Sequence, residues 1–426
     1  MPPLTHARLR DAVRRGVVAI RSRTTLTPAG GTSDKVFPPT YAIERGAETR
    51  YALETRRING QAVPCVLLDS VASQANRMEQ ALLEGWEDGE LHFPVITVDF
   101  TEVEGLEDLG HITTLDAPHR IADALLRDSV LDGVPFRATE LGRSFTDATV
   151  RNATPMYRVC PHALIFGVWD STGPKGGSGA KFQRALVSEI VGIGVETGVK
   201  TASRLDPAGI QSGVPVYQAE ADPTDWVVDA ALAATEGKKK QPSLFSRKGG
   251  QGKGKPSVIN HGNIAPSIDR DAGGVTLDRA EQTTVLSLAA LRRLRFPCGV
   301  DDSPLEADAR KEAEVSARTA LAALALAAMV YQREQGYDLR SRALLVPDGP
   351  LVLELLPADG DEPESVTLDL EGAAALLTQA HAQASEQGLG WERQPAILRP
   401  APKLASLIRH SRALTSEGDT TDDEAG

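Results

Sequence analysis

A glycine-rich stretch, WDSTGPKGGSGAKF at residues 169–182, has the residue types that can hold a phosphate group. It contains four glycines and two lysines, and it follows an apolar run at residues 163–168. Successive glycine N–H groups can surround phosphate oxygens that a side chain would obstruct, and a lysine adds positive charge. The stretch therefore predicts that the backbone approaches a phosphate, which belongs to a nucleotide, a substrate or a polynucleotide.

The familiar nucleotide-binding and nucleophile motifs fit neither this stretch nor the glycine-containing segment after it. The P-loop pattern G-x-x-x-x-G-K-[ST] fails because Ser178 stands where the second glycine is required, counted from Gly173. The nucleophile elbow G-x-S-x-G fails because Trp169 occupies its first glycine position. GIGVETG at residues 192–198 imitates a dinucleotide fingerprint with one residue too many. These mismatches argue against a nucleotide-dependent enzyme, and no cofactor is expected.

Histidine, cysteine and carboxylate side chains give little indication of a metal site. His111, Asp116 and His119 are close in the sequence, as are Cys160 and His162, but neither group has the i, i+4 spacing of ligands on one helix. A structural histidine is the more common case at such positions. No metal ion is therefore expected.

Asp34 is the one candidate for acid–base chemistry. It lies beside Lys35 in the loop TPAGGTSDKVFPPTY, which is rich in glycine and proline. A carboxylate there could assist attack by an RNA 2′-hydroxyl, although a solvated turn residue is the commoner role.

Positive charge is concentrated in two segments, although the whole chain of 426 residues has a formal net charge of −12. Residues 1–60 carry eleven basic side chains against five carboxylates, and residues 237–256 carry seven basic side chains and no carboxylate. A local basic surface can bind a polyanion even when the total charge is negative. The low aromatic content of 4% disfavours base recognition by stacking. The charge pattern therefore favours a protein that contacts a polynucleotide backbone.

Three groups of polar and basic residues are the predicted RNA-binding site. They follow the first predicted strand, lie near the start of the helix predicted at 71–85, and lie in or just after the glycine-rich stretch. Unpaired N–H groups at a helix start favour anions. The predicted RNA-binding residues are Arg21, Arg23, Lys35, Ser73, Gln74, Asn76, Arg77, Lys175, Gly176, Gly177, Lys181 and Arg184. The predicted DNA-binding residues, all in the basic segment 237–256, are Lys238, Lys239, Lys240, Arg247, Lys248, Lys253 and Lys255.

Hydrophobic periodicity predicts the elements that position these residues. Strands are expected at 17–20, 63–68, 163–169, 343–346 and 351–356. Helices are expected at 71–85, from Asp116 to about 129, from the Ser303–Glu306 capping box to Gly336, and at 370–385. The basic segment 237–256 is expected to form a mobile loop without a core. The irregular alternation of helices and strands predicts an α+β fold.

Three cysteines, Cys65, Cys160 and Cys298, are odd in number and far apart. Neither a disulfide framework nor a zinc ribbon is expected from such spacing. No signal peptide is recognised, and we expect a cytoplasmic protein. The apolar stretch at 320–330 is too short to cross a bilayer and predicts a buried helix.

Several long segments resemble one protein family. They are DKVFPPTY at 34–41, VLLDSVASQANRMEQAL at 66–82, ITTLDAPHRIADALLRDS at 112–129, ALIFGVWDSTGPKGGSGAKFQRALVSEIVGIG at 163–194, SRLDPAGI at 203–210 and LRSRALLVP at 339–347. With these segments the chain resembles the backbone subunit of type I-U (also called I-G) CRISPR surveillance complexes, a member of the repeat-associated mysterious protein superfamily. The resemblance implies a ferredoxin-like palm of RNA-recognition topology, with large insertions that form a thumb-like hairpin.

The resemblance also implies a division of the chain and a set of partners. Residues 1–236 and 257–345 would form the palm core with its insertions, 237–256 a basic flexible loop, 346–410 a C-terminal extension of strands and helix, and 411–426 a disordered acidic tail. Implied partners are guide RNA, target DNA, further copies of the chain, other complex subunits and the helicase-nuclease. Base pairing by the guide would supply sequence specificity.

Two functions follow as hypotheses. The first is a non-catalytic guide-RNA binder that oligomerises along the guide for recognition of target DNA. The alternative is an RNA endonuclease, acting on the guide or on target RNA, with Asp34 as its candidate catalytic residue.

Overall fold

The structure, a computed structural model, describes residues 1–42, 49–172, 179–237, 240–246, 253–299, 302–392 and 396–418. It is a mixed helix and sheet fold, which confirms the predicted α+β class. The α-helices of the described residues, in chain order, are α1 (His6–Arg14), α2 (Val71–Glu87), α3 (Ala124–Arg127), α4 (Glu140–Asp147), α5 (Thr154–Val159), α6 (Pro161–Phe166), α7 (Leu288–Arg292), α8 (Ala307–Glu334), α9 (Leu370–Glu386) and α10 (Pro402–Gly418).

The strands of the same residues are short except for a few that build the largest sheet. In chain order they are β1 (Val17–Pro28), β2 (Leu53–Ile58), β3 (Gln61–Asp69), β4 (Thr97–Asp99), β5 (His111–Thr113), β6 (Ser129–Leu131), β7 (Val134–Pro135), β8 (Val168–Trp169), β9 (Lys181–Phe182), β10 (Leu186–Ile193), β11 (Glu196–Thr197), β12 (Lys200–Arg204), β13 (Tyr217–Gln218), β14 (Trp226–Val227), β15 (Thr235–Glu236), β16 (Gln241–Pro242), β17 (Ile264–Asp269), β18 (Val275–Thr276), β19 (Arg279–Ser287), β20 (Tyr337–Asp338), β21 (Leu344–Pro347), β22 (Leu353–Pro357), β23 (Glu364–Val366) and β24 (Ile397–Pro400).

The chain forms two compact units. The first contains Met1–Tyr41, Tyr51–Glu196 and Val275–Ser406, and the second contains Ala42–Arg50, Thr197–Gly274 and Leu407–Gly426.

The first unit is built on an antiparallel sheet with the strand order β2-β3-β10-β19-β1-β21-β20, and β22 also pairs with β1. The sheet is curled, because residues 17–21 of β1 pair with β22 whereas residues 26–28 pair with β21. Alternate residues of β1 face inward, as the burial of Ile20 and Leu26 shows.

Helices α2 and α8 cover the same inner face of this sheet. Gln282 of β19 donates its side-chain amide to Gln74 of α2 at 2.8 Å and to Gln332 of α8 at 3.0 Å. The buried hydroxyl of Tyr337 donates to the Gln282 carbonyl oxygen at 2.8 Å. These bonds satisfy polar groups in the core and fix both helices on the sheet.

Helix α8 is the central core helix, and it packs against α9, α2 and α1. By length and composition it could cross a membrane, but 94% of its most apolar window is buried inside the protein, which is typical of a core helix. Its predicted start was wrong: it begins at Ala307 with Glu306 as N-cap, and no side chain caps it. Ser303 instead accepts the Gly299 N–H through its backbone oxygen at 2.9 Å, and Pro304 bridges Cys298, so both belong to a turn before the helix.

Three further sequence expectations were corrected. Helix α2 passes through Gly85, which was expected to end it, and ends at Glu87. Gly85 packs against Tyr331, and a Cβ at this position would come within 2.7 Å of the ring, so close packing explains the glycine. Asp116 caps no helix, because its carboxylate accepts from the backbone N–H and hydroxyl of Thr113. Residues 116–129 form a 3₁₀ turn and the short helix α3, and residues 161–166 form a helix where a strand was expected.

The basic surplus of the N-terminal segment is largely used in ion pairs within the protein. Arg8 pairs with Glu364 at 2.6 Å, and Arg10 and Arg14 both pair with Glu312 at 2.6 Å. The expected free basic surface is therefore reduced by carboxylates that lie roughly 300 positions away in the sequence.

The pairing of Glu312 makes a testable pH prediction. Hydrogen bonds from Arg14 and Arg10 lower the pKa of this carboxyl from 4.5 to about 2. Because the pKa is lower in the folded state, the stabilisation is present above pH 4.5 and is lost as the pH falls towards 2. Glu312→Gln should therefore lower the free energy of unfolding at pH 7 by less than about 1 kcal/mol, since the pair is half exposed. Urea unfolding at pH 7 and pH 3 should show that the difference in free energy of unfolding between the wild type and Glu312→Gln becomes smaller in acid. A difference that does not change with pH would contradict the stabilising ion pair at Glu312.

The second unit is built from short two-stranded ribbons. β12 pairs with β17, β13 with β14 and β15 with β16, all antiparallel. A small core of Val216, Phe245 and Val258 lies between them. Residues 240–246 of the basic segment take part through β16 and Phe245, so the expectation of a loop without a core was wrong for this part.

Candidate nucleic-acid interface

The glycine-rich stretch joins the two strands of a small hairpin. β8 and β9 pair antiparallel, with Trp169 opposite Lys181 and Val168 opposite Phe182. The predicted residues Lys175, Gly176 and Gly177 lie outside the described residues. Gly167 turns the chain from α6 into β8 with a φ of +85°, a conformation that favours glycine.

A buried ion pair holds the start of this hairpin. Arg120 donates to both carboxylate oxygens of Glu79, each at 2.6 Å, and to the backbone oxygen of Gly167 at 2.9 Å. The Arg120 and Glu79 side chains are only 7% and 2% exposed. Burial raises the pKa of the Glu79 carboxyl, and the Arg120 guanidinium, held by two hydrogen bonds, opposes this rise by favouring the carboxylate. Because both charges are buried, removing one of them would leave the other uncompensated and would destabilise the fold.

A second arginine holds the residue after β8. Arg137 donates to both oxygens of the fully buried Asp170 carboxylate, at 2.5 and 2.8 Å. Its guanidinium also lies 5.2 Å from the Phe145 ring centroid. Two-point pairing of this kind fixes direction as well as distance. The hairpin is therefore anchored on both sides of β8.

The anchored hairpin presents an aromatic ring and a lysine to solvent. Trp169 is 53% exposed, and the Lys181 Nζ lies 4.8 Å from its ring centroid. Arg184 follows β9 and is also exposed. An exposed ring beside positive charge can stack on a base while the lysine contacts phosphate. Trp169 was absent from the predicted site, although its place as the first residue of the glycine-rich stretch was a usable signal. We call Trp169, Lys181 and Arg184 the hairpin surface.

The predicted residues at the start of α2 serve mainly to bind a buried carboxylate. Asp69, at the end of β3, accepts from the Ser73 hydroxyl at 2.7 Å, the Gln74 amide at 2.6 Å and Arg77 Nε at 3.0 Å. Gln74 is fully buried. Asn76 is exposed on the helix. The structure thus brings Ser73, Gln74 and Arg77 together, but around an internal anion.

Two arginines of the segment 339–347, Arg340 and Arg342, were not among the predicted RNA-binding residues. Arg340 Nη2 lies 3.5 Å from an oxygen of Asp69. Arg342 is exposed and stacks on Phe37 at 4.3 Å, and its backbone oxygen accepts the Phe37 N–H at 3.1 Å. Lys35 is half-buried in the same loop as Phe37. A guanidinium held on a ring is oriented for binding a phosphate, so Arg342 is an additional candidate.

The remaining predicted arginines lie on the outer face of the sheet. Arg21 Nε donates to Glu354 at 2.7 Å, and Arg23, 55% exposed, lies 4.0 Å from the same carboxylate. Arg56 of β2 pairs with Glu189 of β10 at 2.7 Å. Arg21, Arg23 and Arg56 therefore each lie within 4.0 Å of a carboxylate.

The predicted DNA-binding residues are only partly described. Lys238, Lys239, Arg247 and Lys248 lie outside the described residues. Lys240, Lys253 and Lys255 are exposed in the second unit, and Lys253 lies 3.7 Å from Glu236. Their DNA-binding role stays a prediction.

The histidine and cysteine candidates are structural or solvated. Cys160 Sγ lies 3.3 Å from His162 Nε2, and both are fully buried. Burial raises the pKa of the Cys160 thiol to about 12 and lowers the pKa of His162 to about 3, so both stay neutral near pH 7. The His111 ring lies 3.5 Å from the Asp99 carboxylate, and the Asp116 carboxylate accepts from Thr113.

Asp34 is exposed, and its carboxylate accepts the Lys35 backbone N–H at 2.9 Å. Within the described part of the chain, no group of three or more His, Cys, Asp or Glu side chains is placed to hold a metal ion.

The geometry of the hairpin and of α2 lies in the part of the chain that matches a known family. Residues 20–197 match the model of the family described as CRISPR-associated protein GSU0053. The match spans less than half of the 426 residues, and it supports a CRISPR-associated protein with a role in CRISPR defence. No curated protein matches the chain.

Proposed function

We propose that this protein is a non-catalytic guide-RNA-binding backbone subunit of a type I CRISPR surveillance complex. The observation that carries the proposal is the anchored hairpin surface, with Trp169 and Lys181 in solvent at the two ends of the glycine-rich stretch, inside the segment that matches a CRISPR-associated family. Stacking and phosphate contacts of this kind do not depend on base identity. A backbone subunit must accept every guide sequence, so this mode of binding fits the role.

The strand order of the main sheet supports a ferredoxin-like palm. The chain passes in the order β1, α2, β10, β19, α8 and β22, and the corresponding strands lie in the order β22-β1-β19-β10. This is a βαββαβ succession in one antiparallel sheet, with two helices on the same face. The β2–β3 hairpin and the second unit are then insertions, and the second unit would correspond to the thumb.

Further copies, other complex subunits, target DNA and the helicase-nuclease are the partners that this role requires. Copies aligned along one guide would present its bases for pairing with target DNA, and the pairing would supply sequence specificity. Cleavage of the target would belong to the separate nuclease. The cytoplasm is the proposed location.

Binding to RNAs of unrelated sequence tests the proposal. Two guide-length single-stranded RNAs with scrambled sequences should bind with affinities within about threefold of each other, because phosphate contacts carry no base information. Each phosphate contact should add roughly 0.7 to the salt dependence of the binding constant, plotted as logarithms. A strong preference for one sequence, or no binding to either RNA, would contradict the proposal.

The alternative endonuclease makes a distinct prediction. Because Asp34 is exposed and holds a loop N–H, we expect no cleavage of guide or target RNA by the protein with magnesium or manganese. The products are analysed on a denaturing gel over several hours, with Asp34→Ala as the matched control. Specific cuts that the wild type makes and Asp34→Ala does not would contradict the non-catalytic role and support the RNA endonuclease.

A further inference from the structure

The turn between β20 and β21 holds an arginine in a backbone conformation that arginine rarely adopts. Arg342 has a φ of +60°, in the left-handed region that favours glycine and asparagine. Two hydrogen bonds close the turn, from the Ala343 N–H to the Arg340 backbone oxygen at 2.8 Å and from the Leu339 N–H to the Ala343 oxygen at 3.1 Å. Such a conformation costs stability, and strain of this kind is found mostly where the side chain has a function.

A phenylalanine ring holds the guanidinium of this arginine from one side. The Arg342 Cζ lies 4.3 Å from the Phe37 ring centroid, and the Phe37 N–H donates to the Arg342 backbone oxygen at 3.1 Å. Val36 and Pro38, on either side of the phenylalanine, are buried. Val36 also exchanges two backbone hydrogen bonds with Val275, at 2.9 and 2.8 Å. The ring is therefore fixed by its own backbone, and it holds the guanidinium in one orientation.

The guanidinium of Arg342 is exposed and is not used in an ion pair. Among the residues that the structure describes, none accepts a hydrogen bond from it, and its one side-chain contact of this kind is the Phe37 ring. Arg340 of the same turn differs, because it donates to the Leu68 backbone oxygen at 2.9 Å and lies 3.5 Å from Asp69. A guanidinium is planar and has two faces. One face lies against the ring, so the opposite face is left for a second planar group.

We propose that Arg342 is a stacking platform for one unpaired nucleobase. Bases of single-stranded RNA stack on guanidinium planes as well as on aromatic rings. The guanidinium would lie between the Phe37 ring and the base, and every base has a π face, so the contact does not depend on base identity. The inference rests on the proposed function. It adds to the hairpin surface a second stacking contact that the aromatic content of 4% does not reveal.

Arg342→Asn removes the guanidinium and keeps a residue that adopts the left-handed conformation readily. It should bind guide-length single-stranded RNA about three- to tenfold more weakly than the wild type, because one stacking contact is lost. It should unfold at the same temperature or a higher one, since the strain is reduced. Fluorescence anisotropy and thermal unfolding measure the two effects. Arg151→Asn, which removes an exposed arginine from another turn, is the matched control and should keep the wild-type affinity.

An oligomer without bases separates stacking from the phosphate contact for which the same guanidinium is a candidate. Arg342→Asn should lower the affinity for RNA by a larger factor than the affinity for an abasic phosphodiester oligomer of the same length, because the abasic chain has no π face. Losses by the same factor on both oligomers, with a salt dependence lowered by roughly 0.7, would assign the guanidinium to a phosphate and overturn the platform.

A double-mutant cycle tests the role of the phenylalanine ring. Phe37→Leu keeps an apolar side chain but removes the ring that orients the guanidinium, so it should cause part of the loss of RNA affinity seen for Arg342→Asn. In Phe37→Leu/Arg342→Asn the loss should equal that of Arg342→Asn alone, because the ring acts only through the arginine. Losses that simply add would contradict a stack of ring, guanidinium and base.

The outcomes separate this inference from the proposed function. Wild-type affinity of Arg342→Asn for guide-length RNA would overturn the platform and leave RNA binding through the hairpin surface intact. If the wild type binds no guide-length RNA, the proposed function fails, and nuclear magnetic resonance with a short oligoadenylate decides the platform by itself. Saturation transfer from the protein to the adenine protons that is weaker in Arg342→Asn would support the platform. Equal transfer from both proteins, or none from either, would overturn it.

Discussion

Replacing Trp169 by alanine should weaken binding of single-stranded RNA by about 5- to 150-fold, which corresponds to about 1–3 kcal/mol of base stacking. The indole is half exposed, and the hairpin that carries it is anchored through Gly167 and Asp170. The ring is thus presented to a ligand with little loss of conformational freedom on binding. Fluorescence anisotropy with a labelled guide-length RNA measures the change.

Two companion variants make the result specific. Trp169→Phe keeps an aromatic face and should retain most of the affinity, whereas Lys181→Met should lower the salt dependence by roughly 0.7 if the lysine contacts one phosphate. Equal affinities for Trp169→Ala and wild type, with unchanged circular dichroism, would remove the hairpin surface from the RNA-binding site.

Arg120→Ala should lower the free energy of unfolding by about 3–5 kcal/mol, because it leaves the Glu79 carboxylate buried without its partner. Both side chains are almost fully buried, and Arg120 also holds the backbone oxygen of Gly167. Urea unfolding followed by circular dichroism measures the loss. A decrease of less than about 1 kcal/mol would show that the pair is not the anchor described here.

The double variant Glu79→Leu/Arg120→Met separates stability from positioning. Replacing both charges by apolar side chains of similar size should recover most of the stability. The hairpin would still lack its contact at Gly167, so RNA affinity should remain below the wild-type value. Full recovery of both properties would mean that the ion pair acts on stability alone.

The sequence predicted the elements whose apolar residues repeat regularly over several turns. Helix α9 begins at Leu370 as expected, and α8 is the buried helix predicted from its apolar stretch at 320–330. The apolar run at 163–168 is too short for its period to distinguish a strand from a buried helix. A strand was expected at 163–169, but α6 extends to Phe166 and only Val168–Trp169 form a strand.

The sequence could not show which charges neutralise one another. Arg8 and Glu364 are 356 positions apart, and the basic N-terminal segment is therefore less available to a polyanion than its composition indicates. The same limit applies to Arg77, whose partner Asp69 is fully buried at the end of β3. The hairpin surface was partly predicted through Lys181 and Arg184, whereas the exposure of Trp169 depends on strand pairing.

The nucleic acid that accompanies the protein from cells tests the central claim most directly. The chain is expressed with a CRISPR array and its neighbouring subunits, and the purified complex is extracted and its nucleic acid sequenced. We predict RNA of guide length, derived from all spacers of the array and present in intact form. A protein that purifies without nucleic acid, and that stays so when guide RNA is supplied, would contradict a guide-RNA-binding backbone subunit.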